Sequence, residues 1–220
     1  MAILAIDPGT KTGGALFLDG APIVFTLTSP SVFAIVRVIK WALAESNAPQ
    51  RLDRESAESA KCRQILAPTD PSPLELVTED QHVARGPRAN PAATLSIARA
   101  AERWITIAEL FGARTIQVQP STWREPLIAS VSKTMNGKVL DKKVRTKLLV
   151  QRLWSELELH KGEPATTPGR RVSTTKGKLP QDPIDAIAMG YWRMTKGAER
   201  PREKAPKKRN RTRVAKVVAT

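Results

Sequence analysis

The first fourteen residues constrain the fold more than any other part of the chain. Ala2 to Ile6 is a short, unbroken apolar run, which predicts a strand buried on both faces. The run ends at Asp7, and Pro8-Gly9 then turns the chain. We therefore expect a carboxylate at the carboxyl end of a central strand, where open α/β sheets place their ligand sites. Aspartate is also common at the start of turns, so this stretch alone leaves both interpretations open.

The charge of the chain indicates a polyanionic partner. The 220 residues include 36 lysines and arginines against 21 acids, which gives a formal net charge of +15. A positive field of this size favours nucleic acid. An anionic membrane is the competing partner, but no segment approaches the roughly 20 apolar residues of a spanning helix. The one cysteine, Cys62, excludes an internal disulfide and a zinc site built from cysteines, and without a signal-peptide pattern we expect a cytoplasmic protein.

The remaining pattern predicts an α/β fold with a five-stranded mixed sheet flanked by helices. Gly13 to Leu18 and Ile23 to Leu27 are predicted strands, and Asp19-Gly20 between them is a two-residue hairpin signal. With the first strand they form an antiparallel meander, and the later strands are predicted to run parallel. Those strands are expected at 74–78 and 115–119, helices at 31–45, 90–111, 141–159 and 181–194, a short helical or irregular piece at 120–128, and a long basic loop at 161–178.

Two stretches lie outside this pattern. Residues 46–73 have weak signals apart from a possible exposed helix at 54–66, and we interpret them as an excursion over the surface. Residues 196–220 contain ten basic residues and two acids, so about +8 of the net charge belongs to this tail. We predict a single domain over 1–195 and a basic tail that is disordered when free and binds DNA.

Four acids stand at the ends of predicted elements. Glu79 ends the fourth strand, while Asp182 and Asp185 open the last helix on one shared face. Each has a local explanation as well, as a strand-end acid, a helix cap or a favourable charge near a helix N-terminus. Carboxylates gathered together repel one another unless a cation lies between them, and hard oxygen ligands suit Mg²⁺ or Mn²⁺. Metal-binding acids on a basic protein are typical of a nuclease. Two Mg²⁺ or Mn²⁺ ions can activate a water molecule for attack on a phosphodiester.

Three motifs resemble those of the RuvC family of Holliday junction resolvases. They are Ile-Asp-Pro-Gly-Thr-Lys-Thr-Gly-Gly-Ala from residue 6, Glu-Asp-Gln from residue 79 and Asp-Pro-Ile-Asp-Ala-Ile-Ala from residue 182. The resemblance extends from residue 1 to about residue 194. It implies an RNase H-like fold, a homodimer and paired cuts in a four-way DNA junction with Mg²⁺, for which Mn²⁺ is expected to substitute. It also carries the family's four catalytic, metal-binding acids onto Asp7, Glu79, Asp182 and Asp185.

The resemblance implies DNA contacts too. His82 stands where the family has an aromatic residue that stacks at the opened junction centre, although it is equally typical of a solvated loop. The basic residues that the family places near the scissile phosphate correspond to Arg124, Lys142 and Lys143. Basic loops supply the further candidates Arg85, Arg88, Arg170 and Arg171. The stretch at 46–73 and the basic tail depart from the family and favour a phage or otherwise divergent relative, in a bacterium or a phage-infected cell.

Two other functions remain open at this point. Asp-Xaa-Gly-Thr-Xaa-Thr-Gly also resembles the first phosphate motif of the actin, sugar-kinase and Hsp70 group, whose nucleotide sites need two domains. The second alternative is a non-catalytic protein that binds branched DNA. ATP-dependent metal binding would distinguish the first alternative, and binding without cleavage would distinguish the second.

Overall fold

The structure is a computed structural model that describes residues 1–47, 74–80 and 91–195. The predicted surface excursion with its helix at 54–66, the loop that carries His82, Arg85 and Arg88, and the basic tail lie outside the described residues. Within the described part, no helix is both long and apolar enough to span a membrane.

The described elements alternate between strands and helices along the chain. The strands are β1 (Ala2–Asp7), β2 (Lys11–Phe17), β3 (Ile23–Thr28), β4 (Leu74–Glu79), β5 (Arg114–Val118), β6 (Thr134–Met135), β7 (Lys138–Val139), β8 (Glu156–Lys161) and β9 (Arg170–Ser173). The helices are α1 (Val32–Asn47), α2 (Pro91–Leu110), α3 (Pro120–Ile128), α4 (Lys142–Leu153) and α5 (Gln181–Thr195).

Seven of the strands form one mixed sheet in the order β5-β4-β1-β2-β3-β8-β9. β1, β2 and β3 are an antiparallel meander, and β4 and β5 run parallel to β1. β8 is parallel to β3, and β9 is antiparallel to β8. The predicted α/β class, with a meander followed by parallel strands as in an RNase H-like fold, is therefore confirmed.

The predicted count of five strands is wrong, because β8 and β9 extend the sheet beyond β3. The helix predicted over 141–159 ends at Leu153, where the extended backbone of Trp154 stops it. In β8 Leu157 and Leu159 are buried while Glu156 and Glu158 are exposed, which is the two-residue period of a strand. β9 lies inside the stretch predicted as a long loop.

The turn predicted at Asp19-Gly20 is also longer than two residues. β2 ends at Phe17 and β3 begins at Ile23, so five residues connect them. Gly20 has a φ of 110°, a conformation that glycine adopts without steric strain.

Helices cover both faces of the sheet. α1 and α2 pack on the face that contains Leu4 and Ile6, and α3, α4 and α5 pack on the face that contains Ile3 and Ala5. β1 is therefore buried on both faces, as its unbroken apolar run predicts.

Candidate active site

The two-residue period of the strands turns Asp7 and Glu79 toward the same face of the sheet. Ile3 and Ala5 of β1 and Val77 of β4 belong to the core under α3, α4 and α5, and Asp7 and Glu79 continue the same alternation. The two strands are parallel neighbours in which Ile6 pairs with Thr78. The two carboxylates therefore leave the sheet side by side, at the carboxyl ends of strands about 4.8 Å apart.

Gly13 allows α5 to begin directly over this end of the sheet. Gly13 of β2 pairs with Asp7 of β1. A Cβ atom at Gly13 would overlap the backbone of Asp182 and Pro183, so only glycine admits the helix this close to the strand. The first turn of α5, which carries Asp182 and Asp185, is thereby held beside the end of β1.

Burial and neighbouring carboxylates raise the pKa values of three of the four acids. Burial, followed by the charges of Asp185, Glu79 and Asp182, raises the pKa of Asp7 to about 8 against the opposing charge of Arg124. Burial also raises the pKa values of Glu79 and Asp185, and the carboxylate of Asp185 adds to the effect on Glu79. Asp7 therefore holds a proton at neutral pH unless additional positive charge joins the cluster.

Arg124 supplies positive charge from α3. Its Nη2 atom lies 3.5 Å from Asp185 Oδ1 and 4.0 Å from Glu79 Oε1, and its guanidinium carbon lies 4.5 Å from the centroid of the Trp123 ring. Gln181 Nε2 donates a hydrogen bond to Asp185 Oδ1 at 3.1 Å. Arg124 thus bridges an acid of β4 and an acid of α5.

Lys143 is the second cation that acts on the cluster. After Arg124, its charge also opposes the rise that burial causes in the pKa values of Glu79 and Asp185. The neighbouring Lys142 instead forms an exposed ion pair with Glu125. Of the three basic residues predicted near the scissile phosphate, the structure brings Arg124 and Lys143 to the acids and turns Lys142 away.

The basic residues of the predicted loop lie elsewhere. Arg170 and Arg171 are exposed on β9, at the edge of the sheet. β9 is the fourth strand away from β1, which corresponds to about 19 Å at the usual spacing of neighbouring strands. They can contribute to a basic surface but do not belong to the acid cluster.

The donor set suits a hard divalent cation, because all four predicted ligands are carboxylates. In the part of the chain that the structure describes, however, no group of three or more His, Cys, Asp and Glu side chains is arranged to hold one metal ion. The ion pairs of Arg124 run between Glu79 and Asp185, two of the four predicted ligands. In this arrangement the positive charge between Glu79 and Asp185 is that of the Arg124 guanidinium.

β4 and α5 share a second ionic contact, which the sequence analysis did not predict. Glu75 of β4 is fully buried and accepts hydrogen bonds from Arg193 of α5, through Nε and through Nη2 at 2.9 Å. Arg114 Nε lies 3.7 Å from the same carboxylate. The spacing of Glu75, Val77 and Glu79 could have placed Glu75 on the α5 face, but its partner is 118 residues away and no local signal marks it.

No protein-family model and no curated protein matches the chain. Among solved structures, the chain is similar to Thermus thermophilus RuvC in complex with a Holliday junction substrate, with 14% identity and a TM-score of 0.44 over 88% of this chain and 92% of that one. It is also similar to a second Thermus thermophilus RuvC structure, with 16% identity and a TM-score of 0.41 over 88% and 93% of the two chains. At these values the function has to be argued from the residues of this chain.

Proposed function

We propose that the protein is a metal-dependent endodeoxyribonuclease that cuts branched DNA, with four-way junctions as the principal substrate. The observation that carries the proposal is the convergence of Asp7, Glu79, Asp182 and Asp185 from β1, β4 and α5 on one electrostatically coupled cluster. Carboxyl groups with strongly perturbed pKa values are typical of functional sites. The net charge of +15 supports a polyanionic substrate.

In this proposal the four acids hold Mg²⁺, or Mn²⁺ in its place. A bound divalent cation supplies a Lewis acid and activates water for attack on a phosphodiester. Arg124 and Lys143, which act on the same acids from α3 and α4, bind the phosphate next to the cluster. Arg124 moves from its ion pairs with Glu79 and Asp185 to the phosphate oxygens when the acids take up the cation.

The remaining basic residues would hold the arms of the DNA. Arg170 and Arg171 on the exposed edge strand are proposed to contact DNA away from the cut. His82 is proposed to stack at the junction centre, and Arg85, Arg88 and the basic tail are proposed to contact DNA as well. Paired cuts in a four-way junction need two acid clusters, so we also propose that the active form is a homodimer.

A cleavage panel tests the proposal. Labelled four-way junction, flap and linear duplex are incubated with the protein in Mg²⁺, in Ca²⁺ and in EDTA, and junction binding is measured in Ca²⁺. The wild-type protein should cut branched DNA in Mg²⁺, whereas Asp7→Asn should bind the junction but not cut it. The exposed acid Glu102 on α2 supplies the matched control, and Glu102→Gln should bind and cut like wild type.

Each alternative predicts a different result. Cutting by Asp7→Asn at the wild-type rate would overturn the assignment of the acid cluster. Junction binding with no cleavage in any metal would identify a non-catalytic DNA-binding protein. Thermal stabilisation by Mn²⁺ that appears only when ATP is present would favour the nucleotide-binding alternative.

A further inference from the structure

A short β-hairpin connects α3 to α4. Its strands β6 and β7 are antiparallel and joined by Asn136 and Gly137, whose φ values are 51° and 74°. Positive φ at both central residues is the geometry of a type I′ turn, in which Asn-Gly is a strongly preferred pair. Leu140 N donates to Lys133 O at 2.8 Å and closes the base of the hairpin. The hairpin is therefore a formed element rather than an irregular loop.

The root of the hairpin is fixed to the helices that carry the cations of the acid cluster. Arg145 of α4 is buried, and its Nη2 atom donates to the carbonyl oxygens of Ile128 and, at 2.8 Å, of Val131. These contacts tie the end of α3 to the start of α4. Arg124 lies four residues before Ile128, about 6 Å along the helix, and Lys143 is two residues before Arg145. The hairpin is thus anchored to the two helices that carry Arg124 and Lys143.

The surface of the hairpin is apolar and basic. Val139 is 83% exposed and Met135 is 51% exposed, so neither side chain is packed into the core. Met135 is paired with Lys138 across the two strands, which places an apolar side chain and a cation on the same face. Residues 129–140 include Lys133 and Lys138 and no acid.

We propose that this hairpin is a finger that contacts the minor groove of a duplex arm beside the acid cluster. Proteins that bind the minor groove combine cations with apolar side chains such as methionine, which enter between base steps. Met135 supplies the wedge, and Lys133 and Lys138 contact the flanking phosphates. The inference rests on the proposed function and names the element that positions the DNA arm for cutting.

Exposed positions on the opposite face of the sheet provide matched controls. Binding to a four-way junction is measured by fluorescence anisotropy in Ca²⁺ over a range of KCl concentrations, for Met135→Ser and for the double variant Lys133→Gln/Lys138→Gln. Phe33→Ser and Lys40→Gln on α1 are the controls, since both positions are exposed and α1 packs on the other face. Circular dichroism melts check that each variant folds like wild type.

The two kinds of substitution should give different results. The double lysine variant should bind more weakly, and its slope of log affinity against log salt should be shallower by about 2, because each phosphate contact contributes about 0.9. Met135→Ser should weaken binding about tenfold with an unchanged salt slope, because the loss is apolar. A 2-aminopurine base in the duplex arm should brighten on binding of wild type but not of Met135→Ser. The α1 controls should match wild type.

The inference and the proposed function fail separately in this experiment. If wild type binds the junction and the hairpin variants bind it equally well with the same slope, the finger is refuted and the nuclease proposal stands. If wild type binds no branched DNA, the proposed function itself fails. If Met135→Ser loses self-association in sedimentation while its DNA binding is unchanged, the hairpin is an interface between copies of the chain, which also overturns the finger.

Discussion

Replacing Asp7 with asparagine measures the cost of burying the charge of Asp7 beside the other three acids. The pKa of Asp7 rises from its ordinary 3.8 to about 8 in the folded chain, first through burial and then through the charges of Asp185, Glu79 and Asp182. Below about pH 4 the folded and the unfolded chain both hold this proton. Between about pH 4 and pH 8 the folded chain retains a proton that the unfolded chain has released, so the free energy of unfolding falls as pH rises.

The expected size follows from the shift. About four pKa units correspond to an upper limit of about 6 kcal/mol between the two ends of this pH window. Buffer cations and movement of Arg124 offset part of it, so we expect Asp7→Asn to be more stable than wild type by about 2–3 kcal/mol at pH 8 without divalent metal. At about pH 5 the difference should be much smaller, because most of the wild-type penalty has disappeared.

The measurement is urea unfolding in EDTA at several pH values from 5 to 8, followed by the same series in Mg²⁺. Glu102→Gln is the control for loss of an exposed carboxylate. Mg²⁺ should stabilise wild type more than Asp7→Asn, since the ion binds the native acids and not the unfolded chain. Curves of unfolding free energy against pH that run parallel for wild type and Asp7→Asn would refute the reasoning.

Four further predictions concern the scaffold, the tail and assembly. Arg193→Met leaves Glu75 buried without its bidentate partner and should lower the free energy of unfolding by about 3–5 kcal/mol. Arg114→Gln, at an exposed position, should lower it by less than about 1 kcal/mol. Equal losses in urea unfolding would contradict this prediction. Gly13→Ala should displace the first turn of α5 and abolish the stabilisation by Mn²⁺ that we expect in a thermal-shift assay. Gly9→Ala is the control. Its added Cβ would meet Lys11 O at 3.3 Å, and it should retain most of the stabilisation. Removal of residues 196–220 should weaken binding to every DNA structure and flatten the salt dependence, and unchanged salt dependence would show that the tail makes no phosphate contacts. Sedimentation should show a dimer, alone or with junction DNA, and a monomer in both conditions would remove the basis for paired cutting.

The sequence was most informative where local patterns and the fold agree. The apolar run before Asp7 predicts β1 correctly, and Pro8-Gly9 predicts the turn after it, because burial on both faces leaves few other structures for such a run. Ser31 caps α1, with its Oγ atom accepting a hydrogen bond from Ala34 N at 3.2 Å.

Elements that depend on distant partners were harder to predict. β8 overlaps the end of the predicted helix at 141–159, because Leu157 follows Leu153 at helical spacing and β3, the partner of β8, is more than 100 residues earlier. The turn at Asn136-Gly137 has a strong local signal but is absent from the predicted elements. The position of Arg124 between Glu79 and Asp185 depends on the packing of α3 against α5, which no spacing in the sequence encodes.

Two ionic contacts join β4 and α5, one near each end of the helix. The acid cluster lies at one of these ends. Near the C-terminus of α5, Arg193 binds the buried Glu75 of β4, and near its N-terminus Arg124 bridges Asp185 and Glu79. Repulsion among the acids acts only at the N-terminal end of α5. There Gly13 keeps the first turn of the helix against β2. The scaffold can therefore tolerate the repulsion before any cation binds. Of the two bridges, Arg124 has the longer contacts, so the end of α5 that carries the acids is the more weakly joined to β4.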